Sequence, residues 1–470
     1  MAKPILREED CARIHAASLD VLETVGVRVD DEGILALLMR HGASAGAGAA
    51  TVRLPRELVA ECLAGCPDRA RFSDRRGAAR ELRAGGDSVF WTGNALYVAH
   101  GKTRRELMSA DLAMLSRVAD ACAELDGMVG TSVADFPPPA RDVAGFRVMA
   151  MNTAKHLRPC TFTPDGALAM LEMGQVLAEG VPLAERPLLS FGYSIVSPLH
   201  WTPTGLGSMR NTSGHGLPFM INSEPMGGGS APVTLAGCLV LANADVLSGI
   251  VIAQLLERGR PVIYNAGFAH VLDMATAVAL TGAPENALLQ SAGADLARFH
   301  KLPSASWMST ESMVADAQAA AETMITGLAH AANGVNIVWG AGNLESTLCM
   351  SAEKLVIDDE IIGSIRRYVR GIEVNEETLA LELIRELGHR PDYLWNEHTL
   401  EHFQREIRHS RMAVRCKREA WENDGSRAWD ERAAGRVHDI LKQAAVAQVT
   451  PEQERELTRI VDRHLAAIGG

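Results

Sequence analysis

Aromatic residues are scarce in this chain, with 7 Trp, 5 Tyr and 10 Phe among 470 residues. Phe191, Tyr193, Trp201, Tyr264, Phe268, Trp307 and Trp339 nevertheless all fall at or just beyond the ends of short apolar runs. A ring of indole and phenol faces suits a desolvated cation, quaternary ammonium groups above all, because each face carries the negative side of the ring quadrupole. Any one of them reads equally well as a filler of an apolar core. Glu224 closes another run, just before Pro225-Met226-Gly227-Gly228-Gly229. A carboxylate there can partner a cation or carry a proton, and its burial without a partner would be costly. Gly227, Gly228 and Gly229 either form a flexible connector or let a flat, bulky ligand approach the backbone closely. They lack the Lys-Ser/Thr ending of a phosphate-cradling loop. His200 and His270 stand after two further runs.

Other constellations carry less chemistry. His398 and His402 have helical spacing that a metal would accept, but the pattern is not His-Glu-x-x-His and no third ligand follows. They read as surface or interface histidines, and no metal site is expected. No Gly-x-Ser-x-Gly elbow is present, which argues against a serine hydrolase of that type. The eight cysteines are scattered. Cys62 and Cys66 suit one helix face, while Cys160 and Cys349 read as inert thiols of a reduced compartment.

The strand-end residues need elements that hold them at one end of a sheet. From Ser109 onward apolar runs alternate with helix-periodic stretches. The runs are Met128–Val133, Cys160–Thr163, Leu188–Val196, Pro218–Asn222, Pro261–Asn265, Ser304–Ser309 and Val335–Trp339, with a turn at Pro164-Asp165-Gly166 and an eighth candidate at Asp392–Trp395. Short apolar strands between helices imply parallel pairing with both faces covered. About eight such units predict an α/β fold of the (β/α)8, or TIM, barrel type, with chemistry at the C-terminal strand ends. An open doubly wound sheet would want a Gly-rich dinucleotide turn, and none is present. Ahead of the barrel, helices at Glu8–Thr24 and after Leu54-Pro55, and a hairpin of Ser88–Trp91 with Ala95–Ala99, predict an N-terminal α+β cap over residues 1–107. The barrel is expected over 108–398. The charged segment 399–470 is expected to be a helical C-terminal extension that packs outside the barrel or bridges subunits.

Charge excludes some partners. Lys and Arg number 46 against 58 Asp and Glu, a net charge of −12. An acidic surface repels phosphate backbones and anionic membranes, so neither nucleic acid nor a membrane is an expected partner. The N-terminus is charged and lacks a signal-peptide core, and Leu235–Leu256 reads as a buried helix because it contains Asn243, Asp245 and Gln254. A cytoplasmic protein, compatible with a homo-oligomer, is expected.

Several segments carry a family resemblance. Ser230-Ala231-Pro232-Val233-Thr234-Leu235-Ala236-Gly237, the glycines before it, and Leu241-Ala242-Asn243-Ala244-Asp245 after it resemble the signature stretch of the trimethylamine methyltransferase superfamily. So do Gly282-Ala283-Pro284-Glu285-Asn286-Ala287, Leu355-Val356-Ile357-Asp358-Asp359-Glu360 and His398-Thr399-Leu400-Glu401-His402-Phe403. The resemblance covers most of the chain and implies a (β/α)8 barrel that demethylates a methylated amine. The methyl group would go to the Co(I) of a corrinoid (cobalamin) held by a separate small protein, with no tightly bound cofactor. Trimethylamine-specific members carry pyrrolysine at the barrel mouth; this chain has none and resembles the branch that uses glycine betaine and related quaternary amines. Trp339–Glu345 is the expected counterpart of the pyrrolysine region. The chain departs from the family at Gly388-His389-Arg390-Pro391-Asp392-Tyr393-Leu394, where a more glycine-rich stretch is usual.

The resemblance implies roles for the strand-end residues. Phe191, Tyr193, Tyr264, Trp307 and Trp339 would form a cage, with Glu224 as its anionic partner. His200 or His270 would hold a substrate carboxylate, and Gly227, Gly228 and Gly229 would admit the corrinoid. Two alternatives remain open: a corrinoid-independent barrel enzyme acting on methylated amines, and a non-catalytic protein that binds cationic osmolytes.

Overall fold

Near-continuous Val, Ile and aromatic runs pair as parallel strands because only a sheet covered on both faces buries every residue. The computed structural model describes residues 4–163, 165–444 and 448–468. Pro164, expected in the turn after the second run, lies outside the described residues. Eight strands form the frame: β1 Val89–Thr92, β2 Gly127–Val129, β3 His156–Arg158, β4 Phe191–Ile195, β5 Phe219–Ser223, β6 Val262–Gly267, β7 Ser304–Trp307 and β8 Ile337–Ala341. Their order is β3-β2-β1-β8-β7-β6-β5-β4, and every neighbouring pair is parallel. A parallel bridge between Leu157 and Leu189 joins the two outermost strands. Helices follow the strands in turn: α1 Ser109–Ala121, α2 Arg141–Asn152, α3 Gly166–Leu177, α4 Pro203–Asn211, α5 Leu235–Leu256, α6 Pro284–Phe299, α7 Ala317–Ala332 and α8 Ala352–Arg370. The fold is a (β/α)8 barrel.

Two expected elements sit elsewhere. Asp392–Trp395 is a turn of 3-10 helix on the surface, with Trp395 85% exposed. The missing strand is Val89–Thr92, from within the segment expected to be the cap, and all four of its residues are buried. It inserts between β8 and β2 instead of forming a hairpin. Tyr97–His100 pairs with Thr103–Glu106. The physical reason is that consecutive apolar residues suit an interior strand buried on both faces, which a surface hairpin is not. In the second run the strand comes early, at His156–Arg158, and Cys160 lies beyond its end.

Side chains alternate between the lumen and the helix layer along each strand. The lumen cluster includes Val89, Trp91, Val129, Met220, Ile263, Ala305, Trp307, Ile337 and Trp339. A hairpin of Arg69–Ser73 with Ala79–Arg83 closes its N-terminal end by inserting Ala70, Phe72 and Leu82. The Phe72 ring packs edge-on against Trp91 at 5.5 Å and His156 at 4.9 Å. His156 bridges Ser190 Oγ at 2.9 Å and the Ser73 carbonyl at 3.2 Å, and burial drops its pKa to about 4, so it is neutral in the core.

The rest of the chain wraps this frame. Helix α5 is long and apolar enough to cross a membrane, yet 72% of its apolar window is buried inside the protein. Helices Glu8–Thr24 and Arg56–Gly65 cover it. In the C-terminal segment, helix Trp429–Lys442 packs on α8 and α1, and helix Pro451–Ile468 packs on α2 and α3.

Because Phe72 plugs the lumen and touches two aromatic rings, Phe72→Ala should destabilise the fold by about 3–5 kcal/mol. Denaturant unfolding checks this; a loss under about 1 kcal/mol would show that the hairpin is not a structural stopper.

Candidate active site at the C-terminal strand ends

Three aromatic rings meet where β6, β7 and β8 end. Trp307 closes β7, Trp339 lies two residues before the end of β8, and Phe268 follows β6. Phe268 stacks on Trp307 at 4.6 Å with planes 16° apart, and lies 4.6 Å from Trp339 at 56°. The two indoles are 6.0 Å apart. Phe268 reaches the lumen because the pairing of β6 with β7 shifts register between Tyr264 and Gly267. Gly267 is required there, since a side chain would collide with the Ala305 carbonyl. Both indole nitrogens are buried without a hydrogen-bond partner.

His270 stands at the edge of this cluster, its ring 6.2 Å from Trp307. Its Nδ1 lies 2.9 Å from the Phe268 carbonyl oxygen. A carbonyl only accepts, so Nδ1 donates.

Glu224 is half-buried just past β5. Ser194 Oγ donates to its Oε1 at 2.6 Å. Asn222 Nδ2 donates to Ser194 Oγ at 3.4 Å, and Asn265 Nδ2 donates to Asn222 Oδ1 at 2.8 Å. This chain of donors crosses β6, β5 and β4 and ends on the Glu224 carboxyl. No cation among the described residues forms an ion pair with Glu224. Beneath it, Asp245 of α5 accepts from Ser197 Oγ at 2.7 Å, Ser223 Oγ at 2.8 Å and the Leu199 amide at 2.9 Å. The Glu224 amide in turn donates to Ser197 Oγ at 3.3 Å. Asp245 therefore ties the loops after β4 and β5 together, and burial lifts its pKa to about 6 against the pull of those three donors.

The structure does not bring all the expected residues together. Trp307, Trp339, His270 and Glu224 lie at the strand ends. Phe191, Tyr193 and Tyr264 face the helices: Phe191 is fully buried in the outer cluster, and Tyr193 packs where a side chain on Gly205 of α4 would go. Tyr264 donates its hydroxyl to Asn243 Oδ1 of α5 at 2.8 Å, and burial pushes its pKa up. Trp201 likewise donates to Ser248 of α5 at 2.9 Å. Their alternates, Gly192, Ser194, Ile263 and Asn265, hold the inward positions. A strand buried on both faces carries no sequence signal for which phase faces the lumen, so the aromatic positions of β4 and Tyr264 do not reveal their outward direction.

His200 pairs with the N-terminal segment, its Nε2 2.7 Å from Asp30. Met226–Gly227 pairs with His270–Leu272 at the rim. Gly228, at φ +92°, turns the chain so that the Gly229 amide donates back to the Met226 carbonyl at 2.8 Å. The triplet is thus an ordered turn, not a loose connector. His398 and His402 lie with ring centres 4.3 Å apart, tilted at 41°, on the surface helix Glu397–Glu406. In the Trp339–Glu345 segment, Gly340 (φ +114°) abuts the Met308 carbonyl, and the Gly342 amide donates to buried Asp358 at 2.7 Å.

Sequence reasoning missed Arg158 and the Ser194-Asn222-Asn265 relay. Arg158 ends β3, is 5% exposed, and holds its guanidinium 5.6 Å from the Trp339 ring centre. With the strand placed at Cys160–Thr163, it read as part of the preceding connection. Strict alternation from His156 would have aimed it into the lumen.

A closed parallel barrel with aromatic and charged side chains converging at its C-terminal mouth defines a barrel enzyme acting on a small molecule. Comparison with known proteins narrows the class. The profile described as trimethylamine methyltransferase (MTTB) matches residues 2–469. A trimethylamine methyltransferase of Desulfitobacterium hafniense is 29% identical over 93% of this chain and 88% of its own length. A glycine betaine methyltransferase of the same species is 30% identical over 99% of this chain and 98% of its own length. Among solved structures, the monomethylamine methyltransferase of Methanosarcina barkeri shares the fold at a TM-score of 0.50 and 13% identity, covering 93% of this chain and 95% of that one. The chain belongs to the trimethylamine methyltransferase (MTTB) family, and it is a methyltransferase.

The Asp245 carboxyl is harder to ionise in the fold than in the unfolded chain, so the native state binds the extra proton between the ordinary carboxyl value of 3.8 and about 6. Its contribution to stability accordingly falls as pH rises through that window, by up to about 3 kcal/mol, and is flat above it. The difference in unfolding free energy between wild type and Asp245→Asn, measured from pH 4 to 7, should change with that sign. A difference that does not vary with pH would refute the assignment.

Proposed function

We propose that this methyltransferase takes a methyl group from a quaternary ammonium compound of the glycine betaine type and passes it to the cobalt of a reduced corrinoid carried by a separate small protein. The observation that carries the reading is the Phe268–Trp307–Trp339 wall at the barrel mouth, on the same rim as a carboxylate with no cation of its own. Indole and phenyl faces with Glu224 nearby give a desolvated ammonium group both a quadrupole and a full negative charge. The relatives named for trimethylamine and glycine betaine methyl transfer support the same substrate chemistry.

The corrinoid acts as a second substrate: it supplies the electron pair that takes the methyl carbon, while the C–N pair returns to nitrogen. A quaternary ammonium therefore leaves as a neutral tertiary amine and requires no proton. A neutral amine would require protonation or a covalent activator, and this chain has no pyrrolysine. The protein's part is to bind the cation, orient one methyl group toward the mouth and exclude water. Trp307, Trp339 and Phe268 do the first, and Ser194, linked to Asn222 and Asn265, fixes the position of the Glu224 carboxyl. Gly227, Gly228 and Gly229 on the rim leave backbone without side chains where the flat macrocycle would approach.

Mixed with glycine betaine and the reduced corrinoid protein, the enzyme should produce the absorption spectrum of methylated corrinoid. Trp339→Ala and Glu224→Gln should each lower kcat/KM by roughly 10- to 100-fold. An absence of methylated corrinoid across a panel of quaternary amines, with a competent carrier present, would overturn the proposal.

A further inference from the structure

Arg158 is a buried charge that the reaction as described leaves unused. One terminal nitrogen donates to Cys160 Sγ at 3.4 Å, and a Cβ added at Gly192 would lie 3.0 Å from the other. Its Nε is buried with no hydrogen-bond partner, and no carboxylate among the described residues pairs with it. Arg260 shows the contrast: it is also buried, but its guanidinium donates to the carbonyls of Leu217 and Met209 and to Thr212 Oγ1. Cys160 is not a counter-ion, because burial raises its thiol pKa despite the neighbouring guanidinium. A guanidinium stays charged in any protein environment. Burying one without an anion is costly, and a bound anion would offset that cost.

Its depth in the lumen is informative. Arg158 reaches β4 at Gly192, whereas Glu224 is held at Ser194, two residues nearer the mouth. That spacing is roughly 6–7 Å along a strand. The lumen thus carries a fixed positive charge below and a negative charge above, not paired with each other, and the Trp339 ring adjoins the guanidinium. The structure assigns Arg158 as the receptor for a substrate carboxylate. This rests on the quaternary-amine reading above and sharpens it to zwitterions. The ammonium head lies by Glu224 and the aromatic wall, and the carboxylate points down onto the planar fork of Arg158, which accommodates both oxygens. That orientation turns an N-methyl group toward the mouth, where the methyl acceptor must arrive. A substrate lacking the carboxylate leaves Arg158 buried and unpaired, which is a source of selectivity. His200 is committed to Asp30 and His270 stands at the rim, so neither occupies this position.

Calorimetry with glycine betaine and choline, which differ in carboxylate against hydroxymethyl, tests the assignment. The wild type should bind glycine betaine at least about 30-fold more tightly, the scale of hydrogen bonds between charged groups. Arg158→Met should weaken glycine betaine roughly 100-fold and leave choline within about threefold. Arg158→Lys should fall between, keeping charge but losing the fork. Melting temperatures confirm folding, with Arg158→Gln as the second neutral variant. Equal affinities in the wild type, a preference that survives both neutral substitutions, or binding of neither ligand overturns the assignment. Methyl transfer is read separately. Transfer from both compounds without preference removes the role of Arg158 and leaves the methyltransferase reaction standing. Arg158-dependent betaine binding with no transfer to corrinoid supports the receptor and removes the reaction.

Discussion

Side-chain alternation in a closed parallel barrel governs everything at the mouth of this enzyme. Each strand has only two phases, and a one-residue slip would exchange its whole inward set for its outward set. On β4 the lumen receives Gly192 and Ser194, leaving space for a guanidinium and a hydroxyl donor for Glu224. In the other phase Phe191 and Tyr193 would fill that volume. The register shift at the end of β6 is the local exception, and it lets Phe268 join Trp307 and Trp339.

Charge is organised by the same geometry. Strand ends in a low-dielectric lumen make every fixed charge costly unless it is held by donors or meets a ligand. Glu224 accepts from the Ser194 hydroxyl, which in turn accepts from Asn222, and no cation among the described residues pairs with it. Asp245 does the structural work below, binding the loops after β4 and β5 through three donors. By contrast Lys354 and Asp358 pair at 2.5 Å under the β8 loop and cancel one another. Charges that serve the scaffold are thus matched internally, while Glu224 and Arg158 are not.

Much of the architecture was legible from the residues. The alternation of apolar runs with helical stretches from Ser109 placed six of the eight strands and gave the barrel class, while the strand expected at Cys160–Thr163 lies upstream at His156–Arg158. It failed at the eighth because Val89–Thr92 follows an N-terminal region of mixed character, where a strand–turn–strand pattern resembles a hairpin. Trp395 shows the opposite hazard, an aromatic in an apolar run that ends up at the surface. Less of the site was legible. Glu224, Trp307 and Trp339 stand out in the sequence because they lie at or beside the ends of runs, and the structure places them at the strand ends. Arg158 was missed because a three-residue strand leaves almost no pattern to read.

The sequence alone determined that a parallel barrel would form, where most of its strands end, and which residue types stand at those ends. Periodicity and turn residues encode these directly, since they are local properties of the chain. Only the tertiary structure decided which aromatics face the lumen, that His200 belongs to Asp30, and that Arg158 and Glu224 both reach β4 without pairing. These depend on strand phase and on contacts between residues far apart in the chain. When both faces of a strand are buried, hydrophobicity is equal on each side, and closure of the whole barrel selects the phase.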